Sequence, residues 1–287
     1  MFRRLSSING APRKLDAGVL FGSTPREIWG QWFRPDHDNQ VELVSRALLV
    51  QENGRNILVL AGSESLLAPQ PRSCRCQSQV IGLLDGLARF GLSENDINIV
   101  LLTHLHAWPS PAQSQAFSDG ATLRLLFPRA RYFTGERHWR RAQRPHPHDR
   151  GRFVSWILSQ LECSGRLQLI EGGYCSELGK GWYLHVSDGY TPGQLLPEIS
   201  LPGGPLFFAG DLIPAIHWLD LPVTSGLDRD AEGIIGEKEL ILDHMVQTRG
   251  RLFMVRDPKH AVVKVSRDRQ SRYKPYEYSM LLSSQET

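Results

Sequence analysis

Cysteine is scarce in this chain: there are four in 287 residues, at positions 74, 76, 163 and 175. A chain of this length with so few does not rest on a disulfide framework, which belongs to small secreted domains that cannot build a core. Cys74 and Cys76 stand one residue apart, whereas zinc knuckles space their cysteines by two or more, so reduced, structurally silent thiols are the plainer reading. Long apolar runs are absent, and none approaches the length of a membrane-spanning helix. The opening Met-Phe-Arg-Arg-Leu-Ser-Ser carries the charges of a secretory signal's start, but no apolar region follows, and the expected compartment is cytoplasmic, with no membrane partner. Charge of one sign is in short supply: 33 Lys plus Arg against 30 Asp plus Glu leave +3. Without a basic stripe studded with aromatics, nucleic acid is not an expected partner. Ser110 lacks a surrounding Gly-x-Ser-x-Gly elbow, which argues against a serine nucleophile. No low-complexity stretch or evident linker divides the chain.

What is present is ordinary for a globular protein, with 41% hydrophobic and 22% charged residues. The length can bury a large core, as one α/β domain or two small ones. Apolar strands followed by helical stretches occur on both sides of residue 150, a loose internal echo. The most informative segment is Asn98-Ile-Val-Leu-Leu-Thr-His-Leu-His-Ala-Trp-Pro-Ser110, in which an apolar strand delivers Thr103, His104 and His106 to its end. Two residues apart on an extended segment, His104 and His106 face one side and can approach one cation; taken alone, such a pair is equally a set of hydrogen-bonded core residues. Asp211 follows the apolar Phe207-Phe-Ala-Gly, which places a carboxylate at a sheet end with little water around it. Such a group needs a cation.

The order of motifs along nearly the whole chain resembles the metallo-β-lactamase superfamily, in its lactonase-like branch. Leu20-Phe-Gly-Ser-Thr-Pro-Arg-Glu-Ile-Trp29 and Arg46-Ala-Leu-Leu-Val50 are similar to the start of that branch. In Asn56-Ile-Leu-Val-Leu-Ala-Gly62, Leu60 and Ala61 replace the Asp and Thr with which the family ends its strand. The helix from Val80 to Phe90, stopped by Gly91, precedes the histidine segment, which the family writes Thr-His-x-His-x-Asp-His. Phe127-Pro-Arg-Ala-Arg-Tyr-Phe133 resembles the next strand, Asp188-Gly-Tyr-Thr-Pro-Gly-Gln194 resembles Gly-His-Thr-Pro-Gly-His, Leu206-Phe-Phe-Ala-Gly-Asp-Leu-Ile-Pro214 resembles the strand with the metal-bridging Asp, and Phe253-Met-Val-Arg-Asp-Pro-Lys259 resembles a strand ending in His-Asp-Pro.

The resemblance implies an α/β fold, a four-layer αββα sandwich in a single domain over residues 1–265, with a polar C-terminal extension over 266–287, docked or partly disordered. It also implies that His104, His106 and Asp211 keep ligating side chains, while Trp108, Pro109, Tyr190 and Arg256 stand where Asp, His, His and His would be. Indole offers only a donor and proline has no side-chain lone pair, so neither ligates a metal. Trp108 either fills the space of a lost metal or forms a stacking wall for a planar ligand. Tyr190 is expected as a neutral phenol that donates to a ligand. Arg256 is always charged and pairs well with carboxylates; its plainer alternative is a surface salt bridge. A guanidinium roughly 5 Å from a dication repels it by roughly 7 kcal/mol at an effective dielectric near 20; Asp211 offsets part of this but cannot fully serve both cations, which opposes a dinuclear centre. His217, soon after Asp211, falls where the branch often has a pocket histidine, an acid or base near neutral pH or a structural residue.

The segment from His138 to Phe153 is dense in Arg and His. It is either a solvated surface or a basic lid over the pocket that attracts an anionic ligand. The first reading of function is a degenerate metal site. In it the pocket binds a small, anionic molecule or a protein partner, or carries out metal-independent acid–base chemistry through His104, His106, Asp211 and His217, with Trp108, Tyr190 and Arg256 binding the ligand and no cofactor. The alternative is a mononuclear hydrolase of a lactone, ester or related substrate, with one zinc or iron on His104, His106 and Asp211 and Tyr190 as a fourth ligand.

Overall fold

The computed structural model describes residues 3–66, 77–107 and 124–286. Cys74, Cys76, Trp108, Pro109 and Ser110 lie outside the described residues. Among the described residues the first sheet is built from β1 (Arg3–Asn9), β4 (Arg46–Glu52), β5 (Arg55–Leu60), β6 (Ile99–Leu102), β7 (Arg131–Gly135), β8 (Leu167–Ile170) and β16 (Ser283–Glu286), in the order β16-β1-β4-β5-β6-β7-β8. The second runs β15-β14-β13-β12-β11-β10-β9, from β9 (Gly173–Tyr174), β10 (Trp182–Ser187), β11 (Gln194–Ile199), β12 (Leu206–Phe208), β13 (Arg251–Phe253), β14 (Val262–Arg267) and β15 (Tyr273–Ser279). A small hairpin pairs β2 (Arg13–Asp16) with β3 (Gln40–Leu43).

The sequence explains the layering. In β6 all four residues, Ile-Val-Leu-Leu, are buried, the pattern of a strand covered on both faces. Ile99 and Leu101 point between the sheets, where they meet Val59, Phe133, Leu184, Phe208 and Phe253. Val100 and Leu102 point outward under the helices Gln77–Ala88, Glu136–Gln143 and Ser155–Cys163, against Leu83, Leu87, Trp139 and Leu161. The outer face of the second sheet is covered in the same way by the helix Ala231–Thr248 and the N-terminal segment, where Ile234, Leu242 and Met245 meet Phe207, Leu252 and Val263. The result is a four-layer αββα sandwich.

Residues 266–286 contribute the end of β14 and the strands β15 and β16, which lie at one edge of each sheet. β16 pairs antiparallel with β1, so the two ends of the chain meet in the first sheet. No helix among the described residues is long and apolar enough to cross a membrane.

β5, β6, β7 and β8 are parallel, as are β12 and β13. The segments leaving their C-terminal ends therefore emerge along one rim of the sandwich, the usual place for a site in a parallel sheet.

Candidate functional site

Asp211 and Arg256 meet because of strand register. Phe208 of β12 pairs with Phe253 of β13 in parallel, and each residue lies three positions past its partner in that pair. The Arg256 Nε donates to Asp211 Oδ1 at 2.9 Å and Nη2 donates to Oδ2 at 3.1 Å, a two-pronged ion pair. Both residues are buried, at 2% and 7% exposure. Arg256 also crosses to the first sheet: Nη2 donates to the Ala61 carbonyl at 3.0 Å and Nη1 to Ser45 Oγ at 3.0 Å. Nη1 lies 3.5 Å from Glu64 Oε1, which in turn lies 3.6 Å from Arg13. Two carboxylates, a hydroxyl and a carbonyl among the described residues thus hold the guanidinium.

His104 reaches Asp211 from the opposite sheet. Its Nε2 is 2.9 Å from Asp211 Oδ2, and its Nδ1 receives the backbone N–H of His106 at 3.3 Å. With Nδ1 accepting, the proton of the neutral ring sits on Nε2 and is donated to the carboxylate. Burial works to raise the Asp211 pKa, but the Arg256 guanidinium and His104 together hold it well below the usual carboxylate range. Burial likewise opposes the charge of Arg256, and Asp211 and Glu64 more than offset it.

His106 differs from His104. Its ring is buried, lies 5.4 Å from the His104 ring, and among the described residues neither nitrogen has a hydrogen-bond partner. Burial pushes its pKa down to about 3. Nε2 faces Asp149 Oδ2 at 3.6 Å, an ion-pair separation too long for a hydrogen bond. Asp149 is itself held by Arg141 Nε at 3.0 Å. Tyr190 closes this side, with its ring 5.1 Å from His104 and 5.5 Å from His106. Burial, with Asp211 nearby, raises the phenol's pKa, so Tyr190 stays neutral. Arg152 Nη1 donates to its hydroxyl at 3.4 Å and Nη2 to the Leu227 carbonyl at 3.1 Å.

Asp149 escaped the sequence reading, and His138 and Arg152 entered it only as members of a segment read as either a solvated surface or a basic lid over the pocket. That segment divides in two. Arg144, His146, His148 and Arg150 are exposed, whereas His138, Asp149 and Arg152 are buried. A bridge between His106 and Phe153 and a bond from the Ala107 N–H to the Arg152 carbonyl dock the segment against the histidine strand. Asp149 is the one acid between His138 and Phe153, a signal available in the sequence. His138 is a brace: Nε2 accepts the Leu105 N–H at 2.7 Å and Nδ1 donates to the Pro192 carbonyl at 3.1 Å. Burial holds its pKa well below 6.5.

Two glycines fit the same packing. Gly62 has φ of +99° and a Cβ there would lie 2.8 Å from the His106 carbonyl; Gly193 has φ of +74° and a Cβ would lie 2.6 Å from the His138 nitrogen. His217 is placed elsewhere. Its ring stacks on Trp32 at 4.7 Å and meets Phe33 edge-on at 5.6 Å. Burial lowers its pKa to about 4, with Asp257, His260 and Lys259 as its charge neighbours. The structure therefore brings together His104, His106, Tyr190, Asp211 and Arg256, and sets His217 in an aromatic wall with Trp32 and Phe33. Among the described residues, no group of three or more His, Cys, Asp or Glu side chains is arranged to hold a metal ion.

No family model matches the chain, and no curated protein matches it in sequence. Solved structures do match its fold. A probable metal-dependent hydrolase from Staphylococcus aureus superposes with a TM-score of 0.76 at 21% identity, covering 96% of each chain. AidC, a dizinc quorum-quenching lactonase in complex with a product, N-hexanoyl-L-homoserine, gives 0.72 at 18% identity, covering 96% of this chain and 95% of the other. The hydrolase AbOPH of the β-lactamase superfamily gives 0.71 at 17% identity over 95% and 93%. With two seven-stranded sheets face to face and helices on both outer faces, the chain has the fold of the metallo-β-lactamase superfamily, that of metal-dependent hydrolases and lactonases.

Proposed function

We propose that this chain is a metallo-β-lactamase-fold protein in which an internal ion pair has replaced the dinuclear metal centre, leaving a pocket that binds a small molecule or a protein partner, or that carries out acid–base chemistry without a metal. The observation that carries this reading is the two-pronged Arg256–Asp211 pair. A dizinc site of the kind named for AidC would need Asp211 for its metals. Here one oxygen accepts from Arg256 Nε, and the other accepts from both Arg256 Nη2 and His104 Nε2. Seating a dication against a buried guanidinium costs several kcal/mol at an effective dielectric near 20, about 7 at roughly 5 Å. The donor set does not fit two metals. The residues that remain for chemistry are His106, whose neutral ring has one lone-pair nitrogen to act as a weak base, and the neutral Tyr190 hydroxyl. Arg152 and Arg141 border the group and favour an anionic ligand.

Elemental analysis of purified protein tests the reading. Well under one zinc, iron or manganese per chain is expected, before and after dialysis against zinc. Two tightly held metals would overturn it.

One observation favours a second reading, a mononuclear hydrolase of a lactone, ester or related substrate. Both His106 nitrogens are buried without hydrogen-bond partners among the described residues, and Asp149 stands behind Nε2 as carboxylates stand behind metal-bound histidines. That reading expects one metal per chain on His104, His106 and Asp211 and hydrolysis abolished by chelation, so the same measurement separates the two.

A further inference from the structure

We propose that the groove between β10 and the helix Ala231–Thr248 is a binding site for a small organic amine carrying an apolar body. It shares no lining residue with the group around Asp211, and the inference is independent of the function proposed above. The groove has a volume of about 410 Å³, within the range of roughly 300–1,000 Å³ typical of small-molecule pockets. Its apolar surface comes from the sheet and the helix together, with Tyr183 and Val186 on one side and Ile241 and Leu240 on the other. Leu240 is 74% exposed and Tyr183 37% exposed at this groove, so apolar surface stands open to water there.

Charge selects the class of ligand. The protein as a whole carries +3, yet the groove is lined by two carboxylates, Glu171 and Glu237, and by no Lys or Arg. Glu237 is fixed in place: its carboxylate accepts from Ser187 Oγ at 2.6 Å, from the Asp188 N–H at 2.7 Å and from the Gly189 N–H at 3.2 Å. These donors are neutral, and none of them is a counter-charge. Glu171 is exposed and makes no ion pair among the described residues. His185 also lines the groove, with its Nε2 2.7 Å from Glu198 Oε2. Tyr183 contributes an aromatic face for a cation. An anion would meet two carboxylates and no counter-charge, and a neutral apolar molecule would strip water from Glu171 without replacing it. An ammonium group at the Glu171 and Glu237 side, with its body on Val186, Leu240 and Ile241, satisfies both parts.

Three probes of one shape test this on the full-length protein: 3-phenylpropylamine, 3-phenylpropanol and 3-phenylpropionate, titrated with binding read from backbone amide shifts. The amine should bind about tenfold more tightly than the carboxylate, with the alcohol between them. Glu171→Gln should weaken the amine roughly three- to tenfold and leave the alcohol unchanged, which also shows that the groove is intact. Tyr183→Ala should weaken all three. Equal affinity for amine and carboxylate, shifts outside the groove, an unaltered amine affinity in Glu171→Gln, or binding only of a lysine-bearing apolar peptide would each overturn the proposal.

Discussion

Asp211 has both oxygens engaged, one of them twice, and its neighbours have few other ways to be satisfied. Among the described residues, Arg256 without Asp211 has the more distant Glu64 as a counter-charge, and Asp211 without Arg256 has the His104 ring at 2.9 Å. Removing one partner of a buried pair costs about 3–5 kcal/mol, while replacing both by apolar groups can be nearly neutral. Arg256→Met and Asp211→Ala are therefore each expected to lose about 3 kcal/mol or more in urea unfolding. Arg256→Met combined with Asp211→Leu should recover a large part of it. A double-mutant cycle without coupling would remove the metal-replacement argument and leave the mononuclear hydrolase as the better reading. This pair was legible in the sequence, because both residues end apolar strands in motifs whose order is recognisable. Asp149 and Arg152 were not. They lie more than forty residues from His106, in a basic run whose patterning leaves open a solvated face or a lid over the pocket, and the docking of that run on the histidine strand buries them.

At the scale of elements, the strands were easier to read than the edges and connections. Apolar runs such as Ile57–Leu60 and Ile99–Leu102 leave little choice but a strand covered on both faces. By contrast, β15 and β16 come from a polar tail without clear periodicity, because an edge strand is half solvated and needs no apolar alternation. The helix Ala231–Thr248 hides a similar case. Lys238 reads as an ordinary helical lysine, yet it is fully buried, and its Nζ donates to the carbonyls of Asp220 at 2.8 Å, Leu221 at 3.0 Å and Val223 at 2.9 Å. Those carbonyls follow the short helical turn Ile216–Leu219, which carries His217 and Trp218. Lys238→Met keeps the stem but leaves three carbonyls without that donor, at about 1–3 kcal/mol for each buried group left unmade. A loss of about 3 kcal/mol or more is expected in urea unfolding, together with a changed near-ultraviolet signal from Trp218. A loss under about 1 kcal/mol would mean that water takes over the ammonium's role.

Across the whole molecule, burial of neutral imidazoles should make this fold acid-sensitive well above the ordinary carboxylate range. Burial lowers His106 to about 3 and His217 to about 4, and holds His138 well below 6.5. A histidine with a depressed folded pKa stays neutral in the native state while the unfolded chain takes up a proton below about pH 6.5. Stability is then fully present above that pH and falls as the pH drops through it. Asp228 works in the opposite direction: burial raises it to about 7, so the native state holds a proton there that the unfolded chain lacks down to about pH 4. Three groups that favour unfolding against one that favours folding leave a net uptake of about two protons on unfolding, or roughly 3 kcal/mol lost per pH unit between about pH 6 and 4.5. Urea unfolding of metal-free protein at pH 7.5, 6.5, 5.5 and 4.5 measures this slope directly. His138→Gln, which can keep one of the two bracing hydrogen bonds and does not titrate, should be less stable at pH 7.5 but show a slope shallower by about 1.4 kcal/mol per pH unit. A parent slope near zero over this range would mean that the imidazoles are charged in the folded state, and the neutral-base role of His106 would fall with it.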